Sequence, residues 1–240
     1  MKTTTIVAGL STILFALAGI AWFALELVPP SLGFEDTDDP AVSVLFIRQH
    51  PEVFIQAGLV LILMSIFLTI AVLAVADAAK RRAGGVALTS MSTFGLFSAA
   101  FFLVFGALRV GASGPLLHIA GLRDDWGETA YLVVQMAGVH GVGQAGVITL
   151  CLWAVGLSLI GLRTGVLPRA LCVLGMLPAI RLVGVTLGPL GVLPDSDLLW
   201  PIFMAAIVGT MLWFLLLGIV LLRRSFGSAA ALGLGASADA

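Results

Sequence analysis

Charged residues are scarce in this chain of 240 residues. Only 10% of the residues are charged, whereas 60% are hydrophobic and the mean hydropathy is +1.14. A soluble domain carries about 25% charged residues and has no need of apolar runs longer than a core helix. The composition therefore excludes a soluble globular protein and predicts a polytopic membrane protein. No basic patch is present, so nucleic acid is excluded as a partner.

Cysteine is also scarce, because the chain has only Cys151 and Cys172. Both lie inside apolar segments or at the inner ends of them. Two cysteines at this distance provide neither a disulfide framework nor a C-x-x-C metal or redox motif. We interpret both as small buried apolar residues.

Long apolar segments are what the sequence has in abundance. A membrane-crossing helix needs about 20 apolar residues, and lipid requires each span to satisfy its own backbone hydrogen bonds. The sequence therefore predicts an all-α bundle of six transmembrane helices within residues 1–224, followed by an Ala/Gly/Ser-rich flexible cytoplasmic tail at 225–240. The six predicted spans are 5–28, 53–79, 86–110, 131–162, 170–193 and 200–222.

The positions of the positive charges predict the orientation of the bundle. Basic residues are enriched at the cytoplasmic ends of spans. Both termini are expected in the cytoplasm, and the expected location is the inner membrane of a bacterial cell as a multi-pass protein. Eight of the twelve Lys and Arg residues lie on this predicted inner side: Lys2, Lys80, Arg81, Arg82, Arg163, Arg169, Arg223 and Arg224.

The predicted outer connections are longer than the inner ones. Residues 29–52 contain an acidic stretch followed by the apolar segment 41–47, which could lie flat at the membrane interface. Residues 111–130 repeat this arrangement with the apolar segment 115–119. We expect both connections to be loops with short interfacial pieces.

Glycine-containing motifs in spans four and five favour helix packing over chemistry. Gly141 to Gly146 satisfies G-x-G-x-x-G, but a dinucleotide site needs a preceding strand and a helix start, and this motif lies inside a span. Ala137, Gly141 and Ala145 are spaced by four, and Gly184 and Gly188 form a G-x-x-x-G pair, a spacing typical of close helix contacts in membranes.

Two further patterns suggest metal or haem but lack the required spacing. The acidic residues at 35–39 have neither the central glycine nor the distal glutamate of an EF-hand. A membrane haem needs two inward histidines at similar depth on neighbouring helices. Of His50, His118 and His140, only His140 lies deep in a span. The sequence therefore predicts no metal and no cofactor.

The most informative polar residue is Arg181, which lies near the centre of predicted span five. An arginine at that depth costs at least about 2.5 kcal/mol, so it needs partners or water. His140 and Gln144 are four residues apart on span four and lie at a comparable depth. We expect these three side chains to meet.

Three more polar residues are expected nearer the outer surface. Glu26, Gln56 and Arg109 lie towards the outer ends of the first three spans and could line an entrance, with Glu26 as the counter-ion for either arginine. The group has three interpretations: an interhelical polar clamp, a ligand or transport site, or a catalytic site. No catalytic residues are predicted, because no nucleophile and base pair has a recognisable spacing.

The region from His140 to Gly175 resembles an uncharacterised family of six-helix bacterial membrane proteins, classed as a domain of unknown function. The resemblance rests on an intramembrane histidine, a Gly/Leu-rich helix, the turn Gly165-Val166-Leu167-Pro168-Arg169 and the following segment from Leu171 to Gly175. It implies a six-helix fold and a membrane location. It implies no catalytic residues.

Three functions are compatible with these features. The leading hypothesis is a non-enzymatic membrane protein that binds or transports a small anionic or amphiphilic ligand in an outward-facing polar cavity built on Arg181. A lipid or isoprenoid cyclase or isomerase could instead use Glu26 or another outer carboxylate as a general acid in an apolar pocket. The third alternative is an accessory subunit of a larger membrane complex. Membrane lipid is an expected partner in every case, and a homo-oligomer is possible.

Overall fold

A computed structural model describes residues 2–34, 39–80, 85–187 and 199–233, and in these ranges the chain is helical and has no strand. The all-α fold class is confirmed. The helices are α1 (Lys2–Glu26), α2 (Val28–Ser31), α3 (Pro40–Gln49), α4 (Pro51–Ala79), α5 (Val86–Leu122), α6 (Asp124–Gln135), a π-helix (Met136–Gly143), α7 (Gln144–Thr164), α8 (Arg169–Leu174), α9 (Pro178–Leu187) and α10 (Leu199–Gly233).

Six helical segments in the described ranges are long and apolar enough to cross a membrane, as predicted. They are Thr3–Glu26, Pro51–Ala79, Val86–Leu122, Asp125–Thr164, Arg169–Leu187 and Pro201–Ser225. A multi-pass membrane protein is therefore the class that both sequence and structure support. The cytoplasmic placement of the termini stays a prediction.

The predicted outer loop at 111–130 is wrong. Helix α5 has 37 residues and continues through Pro115 to Leu122, and α6 begins at Asp124. At 1.5 Å per residue α5 is about 55 Å long, which exceeds the hydrocarbon core of about 30 Å. Its last third therefore extends beyond the span predicted at 86–110.

The fourth membrane segment is longer than predicted and changes its helix type. The span expected at 131–162 is part of a continuous helical run, and Met136–Gly143 within it is a π-helix. An i→i+5 hydrogen bond widens the helix and brings residues five apart onto one face. Gly138 and Gly143 are such a pair, and both are buried.

The fifth membrane segment, predicted at 170–193, is interrupted. Gly175 ends α8, and α9 begins at Pro178. Proline has no backbone N–H and cannot continue the hydrogen-bond ladder of α8. The predicted residues 188–193, with Gly188, lie outside the described residues.

The last helix also continues further than the predicted span at 200–222. Helix α10 extends to Gly233, so the first part of the tail expected at 225–240 is helical. Residues 234–240 lie outside the described part of the chain.

The chain divides into two compact units. Unit 1 comprises residues 1–17, 67–96 and 148–240, and unit 2 comprises residues 18–66 and 97–147. The centre of unit 1 is aromatic, since Trp213 meets Trp153 edge-on at 6.2 Å and Phe15 meets Phe214 at 4.6 Å between ring centroids. These four side chains are at most 1% exposed.

Unit 2 has its own apolar cluster, which the amphipathic helix α3 completes. The segment expected at 41–47 is helical, and its side chains at Val44, Phe46 and Ile47 are buried. The cap of α3 is Asp39, whose carboxylate accepts a hydrogen bond from the Ala41 N–H at 2.8 Å. The other buried members of the cluster are Phe54, Leu116, Ala120 and Tyr131.

Glycine and proline define the turn between α7 and α8. Gly165 adopts a φ of +66°, a conformation that glycine tolerates and that commonly ends a helix. Pro168 is the N-cap of α8. The Arg224 guanidinium donates a hydrogen bond to the Val166 carbonyl and ties α10 to this turn.

Candidate functional site

Two of the predicted site residues form an ion pair in unit 2. The Arg109 guanidinium on α5 donates a hydrogen bond to the Glu26 carboxylate on α1. The Arg109 side chain is 12% exposed and that of Glu26 is 35% exposed. Glu26 is therefore the counter-ion of Arg109.

Aromatic rings enclose the same guanidinium. The Arg109 Cζ atom lies 4.9 Å from the centroid of the Phe54 ring and 5.6 Å from that of Phe105. The negative ring faces attract a cation and shield it from lipid. Arg109 thus has its charge neutralised and its faces covered by residues of its own unit.

Two glycines allow α4 and α5 to approach closely beside this ion pair. A Cβ atom at Gly106 would lie 2.6 Å from the Gly58 carbonyl oxygen, and one at Gly58 would lie 3.0 Å from the Gly106 carbonyl oxygen. Any side chain at either position would separate the helices. No local sequence pattern identifies these glycines, because they are on different helices and only the fold makes them a pair.

Gln56 does not join the ion pair. Its side chain is exposed on α4. The expected entrance lined by Glu26, Gln56 and Arg109 stays a prediction.

His140 and Gln144 are brought together, as their spacing predicted. The Gln144 Nε2 atom lies 3.5 Å from the His140 Nδ1 atom. His140 is exposed, however, and not directed into the bundle as an inward intramembrane ligand would be. Both belong to unit 2, whereas Arg181 belongs to unit 1. The expected meeting of the three side chains stays a prediction.

The π-helix explains why the small-residue stripe was assigned to the wrong positions. Ala137 and Gly141 are exposed, whereas Gly138 and Gly143 pack under the Phe105 ring, where Cβ atoms on either would lie 3.3 Å from ring carbons. The four-residue spacing assumed an α-helix, and the i→i+5 pattern selects a different face. On α9, Gly184 does pack closely, since a Cβ atom there would lie 2.4 Å from Phe203.

Arg181 differs from Arg109 in its surroundings. Its side chain is half-buried on α9. Within residues 2–34, 39–80, 85–187 and 199–233 it has no hydrogen bond and no ion pair, and its electrostatic neighbour is the buried Cys151 thiol on α7. A neutral thiol does not balance a guanidinium, so this cation lacks an anionic partner in the described structure.

A shallow groove elsewhere in unit 1 does not coincide with any predicted site residue. It has a volume of about 320 Å³ and lies between the end of α4 and the start of α5. Asp77 and Lys80 both line it, so opposite charges share its wall. This groove carries no specific ligand chemistry.

The comparisons add no functional information. No protein family, curated protein or solved structure matches this chain.

Proposed function

We propose that this chain is a multi-pass membrane protein that binds an amphiphile with an anionic head group, and that Arg181 holds that head group. The proposal rests on one observation: Arg181 lies in an apolar helix without an acidic partner among the described residues. A bacterial inner membrane with both termini in the cytoplasm is the location that the charge distribution supports.

The energetic argument starts from the cost of an arginine in lipid. On the lenient insertion scale that cost is about 2.5–3.5 kcal/mol at a helix centre. A carboxylate or phosphate offsets it, because the planar guanidinium forms two parallel charge-assisted hydrogen bonds with either group. An anionic head group is therefore the class of ligand that Arg181 selects.

The neighbouring side chains favour an apolar tail on the same ligand. Ile180 and Val183 are 38% and 47% exposed on α9, and they lie about 100° and 160° around the helix axis from Arg181. A ligand that reaches the guanidinium along this apolar helix surface is favoured by an acyl or isoprenoid chain of its own. This combination supports an amphiphile over a small hydrophilic anion.

The enzyme alternative loses its main support in unit 2. Glu26 is the acid named for it, and the Glu26 carboxylate accepts a hydrogen bond from Arg109; another outer carboxylate stays open as its general acid. No observation specifically favours an accessory subunit over a ligand-binding protein.

The test compares three probes that share one tail. Oleate, oleyl phosphate and oleyl alcohol are titrated against the purified full-length protein in a non-ionic detergent, with binding measured by native mass spectrometry. A hydrogen bond to a charged group contributes about 1.5–3 kcal/mol, so the anionic probes should bind the wild type roughly 10- to 100-fold more tightly than the alcohol.

The Arg181→Leu variant should lose this preference, whereas the Arg163→Leu control, at the end of α7, should keep it. Equal binding of all three probes to the wild type, or an unchanged preference in Arg181→Leu, would contradict the proposal.

A further inference from the structure

The interruption of the fifth membrane segment leaves backbone groups to be satisfied. The Met176 N–H bonds to the Val173 carbonyl at 3.0 Å, and the Leu177 N–H bonds to the Leu174 carbonyl at 3.1 Å. Both bonds reach back three residues, where an α-helix would reach back four. The Cys172 carbonyl therefore does not receive the Met176 N–H that an uninterrupted helix would give it.

The same loss occurs one turn later at Gly175. Its helical donor would be the Ala179 N–H, which instead bonds to the Met176 carbonyl at 3.0 Å. Pro178 has no N–H to offer in its place. The break thus leaves two carbonyls, at Cys172 and Gly175, without the N–H donors that an uninterrupted helix would supply.

Two side chains from other helices converge on this break. Ser158 on α7 and Trp213 on α10 are both 0% exposed. Neither the Ser158 hydroxyl oxygen nor the Trp213 indole nitrogen has a hydrogen-bond partner in the described residues. A Cβ atom on Gly175 would lie 2.0 Å from the former and 2.5 Å from the latter, so both atoms approach the same point.

The chemistry of these four groups specifies one kind of ligand. The indole N–H only donates, the carbonyls only accept, and the hydroxyl does both. A cation would be repelled by the indole N–H, and an anion would be repelled by the carbonyls. Water both accepts and donates, and buried waters typically bind two to four such groups.

We infer that an ordered water molecule is bound at the Gly175 break, where it accepts a hydrogen bond from the Trp213 indole and donates to the carbonyls of the break, with Ser158 as a further partner. Broken backbone in a membrane segment is tolerated where nearby side chains and waters satisfy it. The water connects α7 and α10 to the junction of α8 and α9. This inference is independent of ligand binding at Arg181.

The test observes the Trp213 N–H directly. Ultraviolet resonance Raman spectroscopy reports whether an indole N–H is hydrogen-bonded, and the Trp213 signal is the difference between wild type and Trp213→Phe. We expect a hydrogen-bonded indole in the full-length protein in detergent. A signal typical of a free N–H would overturn the inference.

Two variants separate water from other occupants. In Ser158→Ala the indole should stay hydrogen-bonded, because the carbonyls still hold the water. Loss of the bonded signal would show a direct Ser158–Trp213 bond instead.

In Gly175→Ala the added methyl group should displace the water and shift the Trp213 signal to that of a free N–H. The matched control is Gly111→Ala, where nothing lies within 4 Å of the added atom, and it should leave the signal unchanged. An unshifted signal in Gly175→Ala would count against the inference.

A cation is tested by the melting temperature in choline, sodium and potassium chloride at equal ionic strength. We expect no difference among the three salts. A rise in melting temperature specific to sodium or potassium, and absent in Gly175→Ala, would overturn the water assignment.

Discussion

Arg109 and Arg181 are both arginines in apolar helices, but their surroundings differ in kind. Arg109 in unit 2 has a carboxylate partner and two aromatic rings around its guanidinium. Arg181 in unit 1 has a buried thiol as its electrostatic neighbour and no ion pair among the described residues. The same residue type therefore has a carboxylate partner in one environment and no acidic partner among the described residues in the other.

This difference bears on two of the interpretations of the polar residues, the interhelical clamp and the ligand site, which the sequence alone did not assign to particular arginines. The polar clamp describes Arg109, because its charge is balanced within the fold. The ligand site is what we propose for Arg181, because no described residue balances its charge. Removing one partner of a buried ion pair strands the other charge, whereas replacing Arg181 strands no acid among the described residues.

The largest expected effect is the removal of the acid from the complete site. Glu26→Leu leaves the Arg109 guanidinium unpaired among apolar side chains, and this should lower the free energy of unfolding by about 2–3 kcal/mol, at the low end for buried pairs because Glu26 is partly exposed. The measurement is denaturant unfolding of the detergent-solubilised protein.

The matched control for this experiment is the double variant. Glu26→Leu with Arg109→Leu removes both charges and should recover most of the lost stability, which gives a large coupling energy in a double-mutant cycle. Additive losses in the two single variants would show that the ion pair contributes little.

A smaller effect is expected from the helix contact beside that ion pair. Gly106→Ala places a methyl group 2.6 Å from the Gly58 carbonyl oxygen and should cost about 1–3 kcal/mol, since α4 and α5 must move apart. The same change at Gly111 on α5 meets nothing within 4 Å. Gly111→Ala should be neutral or stabilising by about 0.5–1 kcal/mol.

Thermal unfolding of these two variants tests whether the close approach of the helices supports the ion pair. If Gly106→Ala is as stable as Gly111→Ala, the contact of α4 with α5 is not a determinant of the site.

Hydropathy was sufficient to predict the number of membrane segments and the helical class. Six apolar runs of membrane length dictate helices, because lipid offers no partners to backbone groups. Hydropathy was not sufficient at the outer connection, since residues 111–122 continue α5 across glycines and Pro115 that were read as a loop. A proline in a helix costs hydrogen bonding locally, and packing of Leu116 and Ala120 in the unit 2 cluster offsets that cost.

The site was predicted less completely, because its members depend on contacts between distant residues. Glu26 was named as a counter-ion for either arginine, but charge alone does not choose between them; the choice depends on α1 lying beside α5. The four-residue stripe failed because no local signal indicated a π-helix at Met136–Gly143. Ser158 and Trp213 were missed because each is unremarkable on its own helix.

The smallest expected effect on stability is at the site that lacks a partner. In delipidated protein, Arg181→Leu should change the free energy of unfolding by less than about 1 kcal/mol, because the loss strands no carboxylate among the described residues and the insertion cost of the arginine is relieved. Arg109→Leu, measured alongside, should be more damaging, since it leaves Glu26 without its cation. Addition of oleate should then raise the melting temperature of the wild type and not that of Arg181→Leu, because a ligand stabilises only the state that binds it. If Arg181→Leu instead unfolds as readily as Glu26→Leu, the two arginines are equivalent, Arg181 acts as a second structural clamp, and the contrast between the two sites fails.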